Sequence, residues 1–280
     1  PLKDLFEPGS TIKPLAVMAA LEAGEFATNS VIDTSPGHVN VGGKILLDPV
    51  NYGALDLPMI IAKSSQVGMT KLALAMEPEA IHRMYSRLGL GQSPGTGFPG
   101  EGVGLLPSYS RWHPIQQANF AFGYGLNLSS LQLAQAYAVL ATRGLKRPAS
   151  LLRLTEAPPP ERVVDAQLTE SVVSMLQLAV SRQGTGSRAS LSAYPVAGKT
   201  GTVRKVGANG YMDNKHLASF AGFAPADNPR IVAVVVIDEP SESSYFGGLV
   251  AAPVFARVTE RAPVHGVDDL ATLERRRLQH

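Results

Sequence analysis

Three short polar clusters hold the side chains able to do chemistry in this 280-residue chain. The first is Ser10-Thr11-Ile12-Lys13, which follows Pro8-Gly9 and opens an apolar stretch. Residues three apart on a helix share a face, so the Lys13 amine can lie against the Ser10 hydroxyl. A serine becomes a nucleophile when a neighbouring base takes its proton, and lysine is such a base once burial and nearby positive charge lower its pKa. The start of a helix also aims backbone N–H groups at a developing anion. Taken alone the pair decides little. With 22 serines and 9 lysines in 280 residues, chance supplies about 0.7 such pairs, and an N-capping serine beside a solvated lysine is their commoner origin.

The second cluster, Ser64-Ser65-Gln66, interrupts an apolar helical pattern. It reads either as polar residues at a helix cap or outer face, or as a proton-relaying serine beside an amide that orients a carbonyl. The third is Lys199-Thr200-Gly201-Thr202, preceded by Gly198. Its glycines allow another backbone to approach the strand closely. A lysine and two threonine hydroxyls suit a carboxylate, and an edge strand accepts an extended peptide by strand addition. The same residues also serve to blunt an exposed edge.

These clusters need elements to hold them. Ile12, Leu15, Ala16, Ala19, Ala20 and Ala23 fall on one helical face, with Gly24 as a stop. Residues 28–58 are rich in Gly, Pro, Asn and Asp and read as loop with short strands. Leu57 to Met76 is helical around the Lys63–Gln66 interruption, residues 89–114 are a second Gly/Pro-rich excursion, and helices are expected over Ser130–Thr142 and Thr169–Arg182. Val196–Arg204, Leu217–Ala224 and Arg230–Asp238 are short apolar runs joined by turns, the pattern of an antiparallel meander. Val232–Ile237 is nearly unbroken Val/Ile, as in a strand covered on both faces. Gly247–Arg261 reads as a C-terminal helix, and residues 263–280 as a polar tail. Helices first and strands last predict a layered α+β domain.

Composition narrows the function classes. Lys+Arg 25 against Asp+Glu 23 leaves +2, too balanced for a nucleic-acid binder with a clustered basic face. Hydrophobic residues at 45% and charged residues at 17% give ample core and exclude disorder. With no cysteine, disulfides, thiolate metal sites and cysteine nucleophiles are out. The histidines lack metal-ligand spacing, so neither metal nor cofactor is expected. The longest apolar run, Ile231–Ile237, is far shorter than the roughly 20 residues of a membrane span. No signal-peptide pattern opens the chain, which reads as a soluble globular piece of something longer.

In this order and at this spacing, Ser-x-x-Lys, Ser-x-amide and Lys-Thr-Gly resemble the signature set of penicillin-binding proteins and serine β-lactamases. The likeness continues through Glu7-Pro8-Gly9, Gly97-Phe98-Pro99-Gly100-Glu101, Phe122-Gly123-Tyr124-Gly125-Leu126 and Tyr245-Phe246-Gly247-Gly248, and covers the chain to about Arg261. It is similar to the class B penicillin-binding proteins, of the Pseudomonas-like penicillin-binding protein 3 type that serves division. The resemblance implies an antiparallel sheet sandwiched by helices beside an all-helical subdomain, the penicillin-binding transpeptidase and serine β-lactamase-like fold. It further implies a peptidoglycan D,D-transpeptidase at the periplasmic face of the inner membrane. Ser10 would attack the D-Ala-D-Ala carbonyl of a stem peptide, Lys13 would be the base, and Ser64 would pass the proton to the leaving amine. Lys199, Thr200 and Thr202 would hold the terminal carboxylate, with Ser65, Gln66 and Gly201 completing the binding motifs. Backbone N–H groups of Ser10 and Thr202 would form an oxyanion hole worth about 2.7–4 kcal/mol per donor. β-Lactams would acylate Ser10, and divisome membrane proteins are the partners implied.

Two departures from the family stand out. Gln66 replaces the usual asparagine, adding one methylene and a rotor to order. Only nine residues precede Ser10, so residues 1–262 are expected to be a transpeptidase domain without its N-terminal part and membrane anchor, less stable to heat than a chain extended upstream. Smaller expectations place Tyr245 and Phe246 on the pocket wall or as loop aromatics over the sheet edge, and Arg204 and His216 at the pocket edge. Within enzymes the alternative is a D,D-carboxypeptidase, with water as acceptor. Against a β-lactamase, no familiar local motif in this sequence positions an acid to activate the deacylating water. From another class comes a non-catalytic penicillin-binding sensor or scaffold.

Overall fold

An apolar stretch that lacks a polar face must be buried all round, and every residue from Thr11 to Ala20 is buried. In the computed structural model, which describes residues 2–262 apart from 208–209 and 242–243, this stretch is the central helix α1 (Lys13–Ala23), ended by Gly24 in the left-handed conformation. The one apolar face expected from spacing thus becomes burial on every side. The tail expected over 263–280 lies outside the described residues.

Around α1 pack α2 (Leu57–Lys63), α3 (Gln66–Leu74), α4 (Pro78–Arg87) and α7 (Ala166–Val180), with α5 (Pro114–Ala121) against α3 and α6 (Ser130–Ala141) against α7 and the sheet. Neither α4 nor α5 was expected. Both are short, and their N-terminal signal is a proline at the first helical position. Helix α7 starts ahead of the expected Thr169 because Asp165 caps it, accepting from Leu168 N at 2.9 Å. The Gly/Pro-rich segment forms two ribbons, Val31–Asp33 with Ala54–Asp56 and His38–Val41 with Lys44–Leu47.

The expected meander is an antiparallel sheet of Ala197–Gly207, Gly210–Ala224 and Ile231–Asp238, with the middle strand central. Lys199 lies opposite Ala221, and Thr202 opposite Ala218. Val232 and Val234 pack into the larger core with α6, while Ala233, Val235 and Ile237 face the smaller one with Phe255. The Val/Ile run is therefore covered on both faces. It stays half-exposed because it pairs on one side only among the described residues. The expected C-terminal helix is broken at Ala251 into α8 (Gly247–Val250) and α9 (Ala252–Arg261), since Pro253 supplies no N–H to continue the first turn. The result is the expected α+β layering, with α6 and α7 on one sheet face and α9 on the other.

Candidate active site

Ser10 sits in a single 3₁₀ turn, Gly9–Ile12, that leads into α1. The turn is fixed from three sides. Gly9 adopts φ +53, and a Cβ there would lie 2.3 Å from Val203 Cγ1, so only glycine lets the turn touch the edge strand. Gly9 N donates to Gly123 O at 3.0 Å. Tyr137 of α6, fully buried, donates its hydroxyl to Thr11 O at 2.7 Å. Ser10 is not an N-cap: Pro8 occupies that place, without a side-chain cap bond.

Lys13, at 2% exposure, points its amine at the second cluster. Its Nζ donates to Ser64 O at 2.6 Å, Ser64 Oγ at 3.2 Å and Ser65 O at 3.4 Å, and makes no hydrogen bond to Ser10. Burial lowers its pKa to about 7, against an opposing pull from Asp48. From the other side Lys199 Nζ donates to the same Ser64 Oγ at 3.0 Å. Burial, and then the charge of Lys13, hold Lys199 well below the usual lysine range. One hydroxyl thus bridges two buried amines that repel as cations, so a proton on one disfavours a proton on the other.

The chain places Ser64 there by breaking a helix. Helix α2 stops at Lys63, Ser64 turns left-handed at φ 58, and Ser65 begins α3 as its N-cap. A serine in that conformation is strained by about 1 kcal/mol or more and persists only where its surroundings over-determine it. Those surroundings include Asp48, which no spacing in the sequence singled out. Its carboxylate accepts from Ser65 Oγ at 2.5 Å, Gln66 N at 2.5 Å and Val67 N at 3.2 Å, an anion seated where a helix start favours one.

A cavity of about 800 Å³ opens over these groups, lined by Ser10, Lys13, Ser64, Gln66, Thr200, Thr202 and Phe246 among others. Several expected site residues stand elsewhere. Ser65 is fully buried, with its hydroxyl spent on Asp48 and on Gly68 N (2.8 Å); it caps a helix and lies outside the cavity lining. Gly201 is a packing position, where a Cβ would meet Ser219 Oγ at 2.4 Å and Pro8 O at 3.0 Å. Lys199 lies behind Ser64, outside the lining. Arg204 is ion-paired with Asp213 at 3.2 Å on the exposed side. His216 stacks on Tyr245 with ring centroids 4.0 Å apart, and Tyr245 in turn supports Phe246 at 4.5 Å. Of those four only Phe246 reaches the cavity, while His216 and Tyr245 back it. The cavity adds Phe122, Tyr124, Thr185 and Arg188, of which only the first two fall within a quoted motif.

The threonines are preset by neighbours. Thr200 and Thr185 share a hydroxyl hydrogen bond at 2.7 Å, and Thr202 Oγ1 accepts from Gly247 N at 2.9 Å. Their strand is a sheet edge, unpaired on its outer side among the described residues, so its backbone is open to an extended peptide. The Gln66 side chain lines the cavity and makes no hydrogen bond among the described residues, which leaves its amide free for a ligand. Replacing it by asparagine shortens that reach by one methylene (about 1.3 Å, half the extended two-bond repeat) while keeping donor and acceptor. We expect Gln66→Asn to keep Ser10 reactive but reorder the acylation rates of β-lactams with different side chains. Stopped-flow acylation with a panel of drugs checks this, and an unchanged ranking rejects it.

A serine in the turn before a buried helix, a buried lysine with its pKa lowered to about 7 and two threonines of an open sheet edge thus line one cavity. A family model described as the penicillin binding protein transpeptidase domain matches residues 1–260. The chain belongs to that family. It is 44% identical over 257 residues to the peptidoglycan D,D-transpeptidase FtsI of Escherichia coli K12, covering 92% of this chain and 43% of the relative. It is 40% identical to the probable peptidoglycan D,D-transpeptidase PbpC of Pseudomonas aeruginosa, over 92% of this chain and 46% of that protein. The chain thus spans about half the length of these curated relatives. The transpeptidase domain of Burkholderia pseudomallei penicillin-binding protein 3 superposes with a TM-score of 0.87 at 40% identity, covering 95% of this chain and 83% of that one.

Proposed function

We propose that the protein is a peptidoglycan D,D-transpeptidase that cross-links stem peptides during division through an acyl-enzyme on Ser10. The observation that carries this reading is the single hydroxyl of Ser64 held between the Lys13 and Lys199 amines at 3.2 and 3.0 Å, beside Ser10 in one cavity. Lys13, with its pKa near 7, is neutral often enough to take the Ser10 proton as Oγ attacks the penultimate D-alanine carbonyl. Lys13 Nζ bonds to Ser64 and Ser65 and not to Ser10; in many enzymes the catalytic hydrogen bonds tighten only with substrate bound. The C–N bond then breaks, and the proton travels through Ser64 to the departing D-alanine amine. The amine of a second stem peptide attacks the ester carbonyl, its proton passes through Lys13 to Ser10 Oγ, and the ester C–O bond breaks to release Ser10.

The donor's terminal carboxylate sits on Thr200 and Thr202, and its negative charge favours the protonated form of Lys199 behind them. Backbone N–H groups of Ser10 and Thr202 stabilise the tetrahedral oxyanion. β-Lactams, which resemble D-Ala-D-Ala, acylate Ser10 and stay. The stem peptides place the activity at the periplasmic face of the inner membrane, and partners in the division machinery follow from the septal role.

Intact-protein mass spectrometry after brief exposure of the full-length protein to penicillin tests the reading. The expected result is a stable gain of one drug mass, absent in Ser10→Ala, and cross-linked product when a D-Ala-D-Ala peptide and an acceptor amine are supplied. An unchanged mass overturns it. A gain that vanishes within seconds marks a β-lactamase instead, and hydrolysis without cross-linking marks a carboxypeptidase.

A further inference from the structure

Three segments distant in sequence meet at Glu7, three residues before Ser10. Its Oε1 accepts from Gly125 N at 2.7 Å, and both carboxylate oxygens accept from the Tyr211 hydroxyl at 3.1 Å. The Tyr211 ring meets Tyr124 edge-on at 5.7 Å, and Tyr124 meets Phe122 edge-on at 5.8 Å. Tyr124 and Phe122 line the catalytic cavity, while Glu7, Gly125 and Arg204 line a separate groove of about 370 Å³. The bond from Gly9 N to Gly123 O closes the ring of contacts beside the nucleophile turn.

Resting on the acyl-transfer reading above, we infer that Glu7 and Tyr211 form a clasp that positions the Tyr124 wall and so selects the side chain of the acyl donor. Both are positioning residues, since neither lines the cavity. Stability alone is a poor reason for the arrangement. Burial raises the Glu7 pKa even against the hydrogen bonds that lower it, and a half-buried carboxylate is commonly no better for stability than an apolar group of its size. What the carboxylate supplies is direction: two charge-assisted bonds of fixed geometry tie the Phe122–Gly125 loop and the edge hairpin to the segment that carries Ser10. An edge-to-face tyrosine pair then passes the position of Tyr211 on to Tyr124.

The test compares acylation of the full-length protein by a penicillin with a bulky acylamino side chain and by 6-aminopenicillanic acid, which has none. Glu7→Gln and Tyr211→Phe keep the shapes of the side chains and remove the clasp's charge or its donor. We expect each to slow the bulky drug about tenfold, the worth of one charge-assisted hydrogen bond, and the bare nucleus less than about twofold. The double variant is expected to match either single one, because both break the same link. Equal slowing of both compounds, with a lowered melting temperature, marks a merely structural role and overturns the inference. No slowing, or additive slowing, overturns it too. A parent protein that penicillin leaves unlabelled overturns the acyl-transfer reading and this inference together, whereas a labelled parent with indiscriminate variants sinks the clasp alone.

Discussion

Lys13→Met will leave Ser10 in place and slow its acylation by a β-lactam about 10²–10⁴-fold, the usual contribution of a positioned general base. Methionine matches the length of the lysine stem and is at home in the buried site, so the expected change is chemical before it is structural. Removing a desolvated amine relieves a cost of burial. Against this, Ser64 O and Ser65 O lose their donor, which costs about 1–3 kcal/mol if they stay dry. The two effects oppose each other, and the melting temperature should move little. The sign of the pH dependence follows from the same burial. Only the neutral amine accepts a proton, and its pKa is about 7. Acylation of the parent should therefore fall about tenfold per unit as pH drops below 7, and that limb should be missing in Lys13→Met. The depressed pKa also makes this group's share of stability grow as pH rises from about 7 toward 10.5, because the unfolded chain holds the extra proton across that window. Stopped-flow acylation across pH, with thermal melts of both proteins, checks all three statements. A variant that acylates at the parental rate would remove Lys13 from the mechanism.

The second large effect is expected at Asp48, which touches no substrate in the proposed mechanism. Asp48→Ala strips the acceptor from Ser65 Oγ, Gln66 N and Val67 N in a site only 9% exposed at Asp48. Orphaned buried donors and a lost anion at a helix start together cost about 2–4 kcal/mol. The catalytic cost comes through Ser64. Its left-handed backbone (φ 58) lies immediately before the segment Asp48 grips, and without that grip it can relax away from Lys13 and Lys199. We expect acylation to fall at least about tenfold, the price of a displacement of even 1 Å in a positioned group being larger still. Asp48→Asn keeps an acceptor oxygen and should fall between parent and alanine. The acid limb of the pH profile should also shift, because Asp48 now raises the Lys13 pKa and its removal lets that pKa drop below 7. Denaturant unfolding and acylation kinetics of the two variants decide the matter; an alanine variant as stable and as reactive as the parent would refute the role.

Much of this was legible in the residues because it is local. Helices α1 and α6, the break at Ser64–Ser65 and the three-stranded meander follow from spacing, caps and β-branched runs. Short α4 and α5 hid among Gly- and Pro-rich sequence, where proline marks a loop as readily as a first helical position. At the site, each cluster's chemistry was visible but not the division of labour inside it. Of the adjacent serines, one reaches the cavity and the other caps a helix. Lys199 lies behind the Ser64 and Thr200 hydroxyls that line the cavity, and Gly201 is a site of backbone packing.

Residue order pointed to the class of chemistry through three short segments, Ser10 to Lys13, Ser64 to Gln66 and Lys199 to Thr202, whose combination resembles the penicillin-binding family although each alone decides little. Tertiary structure decided everything that depends on distance through space. It brought Ser64 between two lysines 51 and 135 residues away, Asp48 under the α3 start, and Tyr211 onto a carboxylate 204 positions earlier. The physical reason is that a pKa or a hydrogen bond is set by which groups exclude water together, and burial is a property of the whole packed chain.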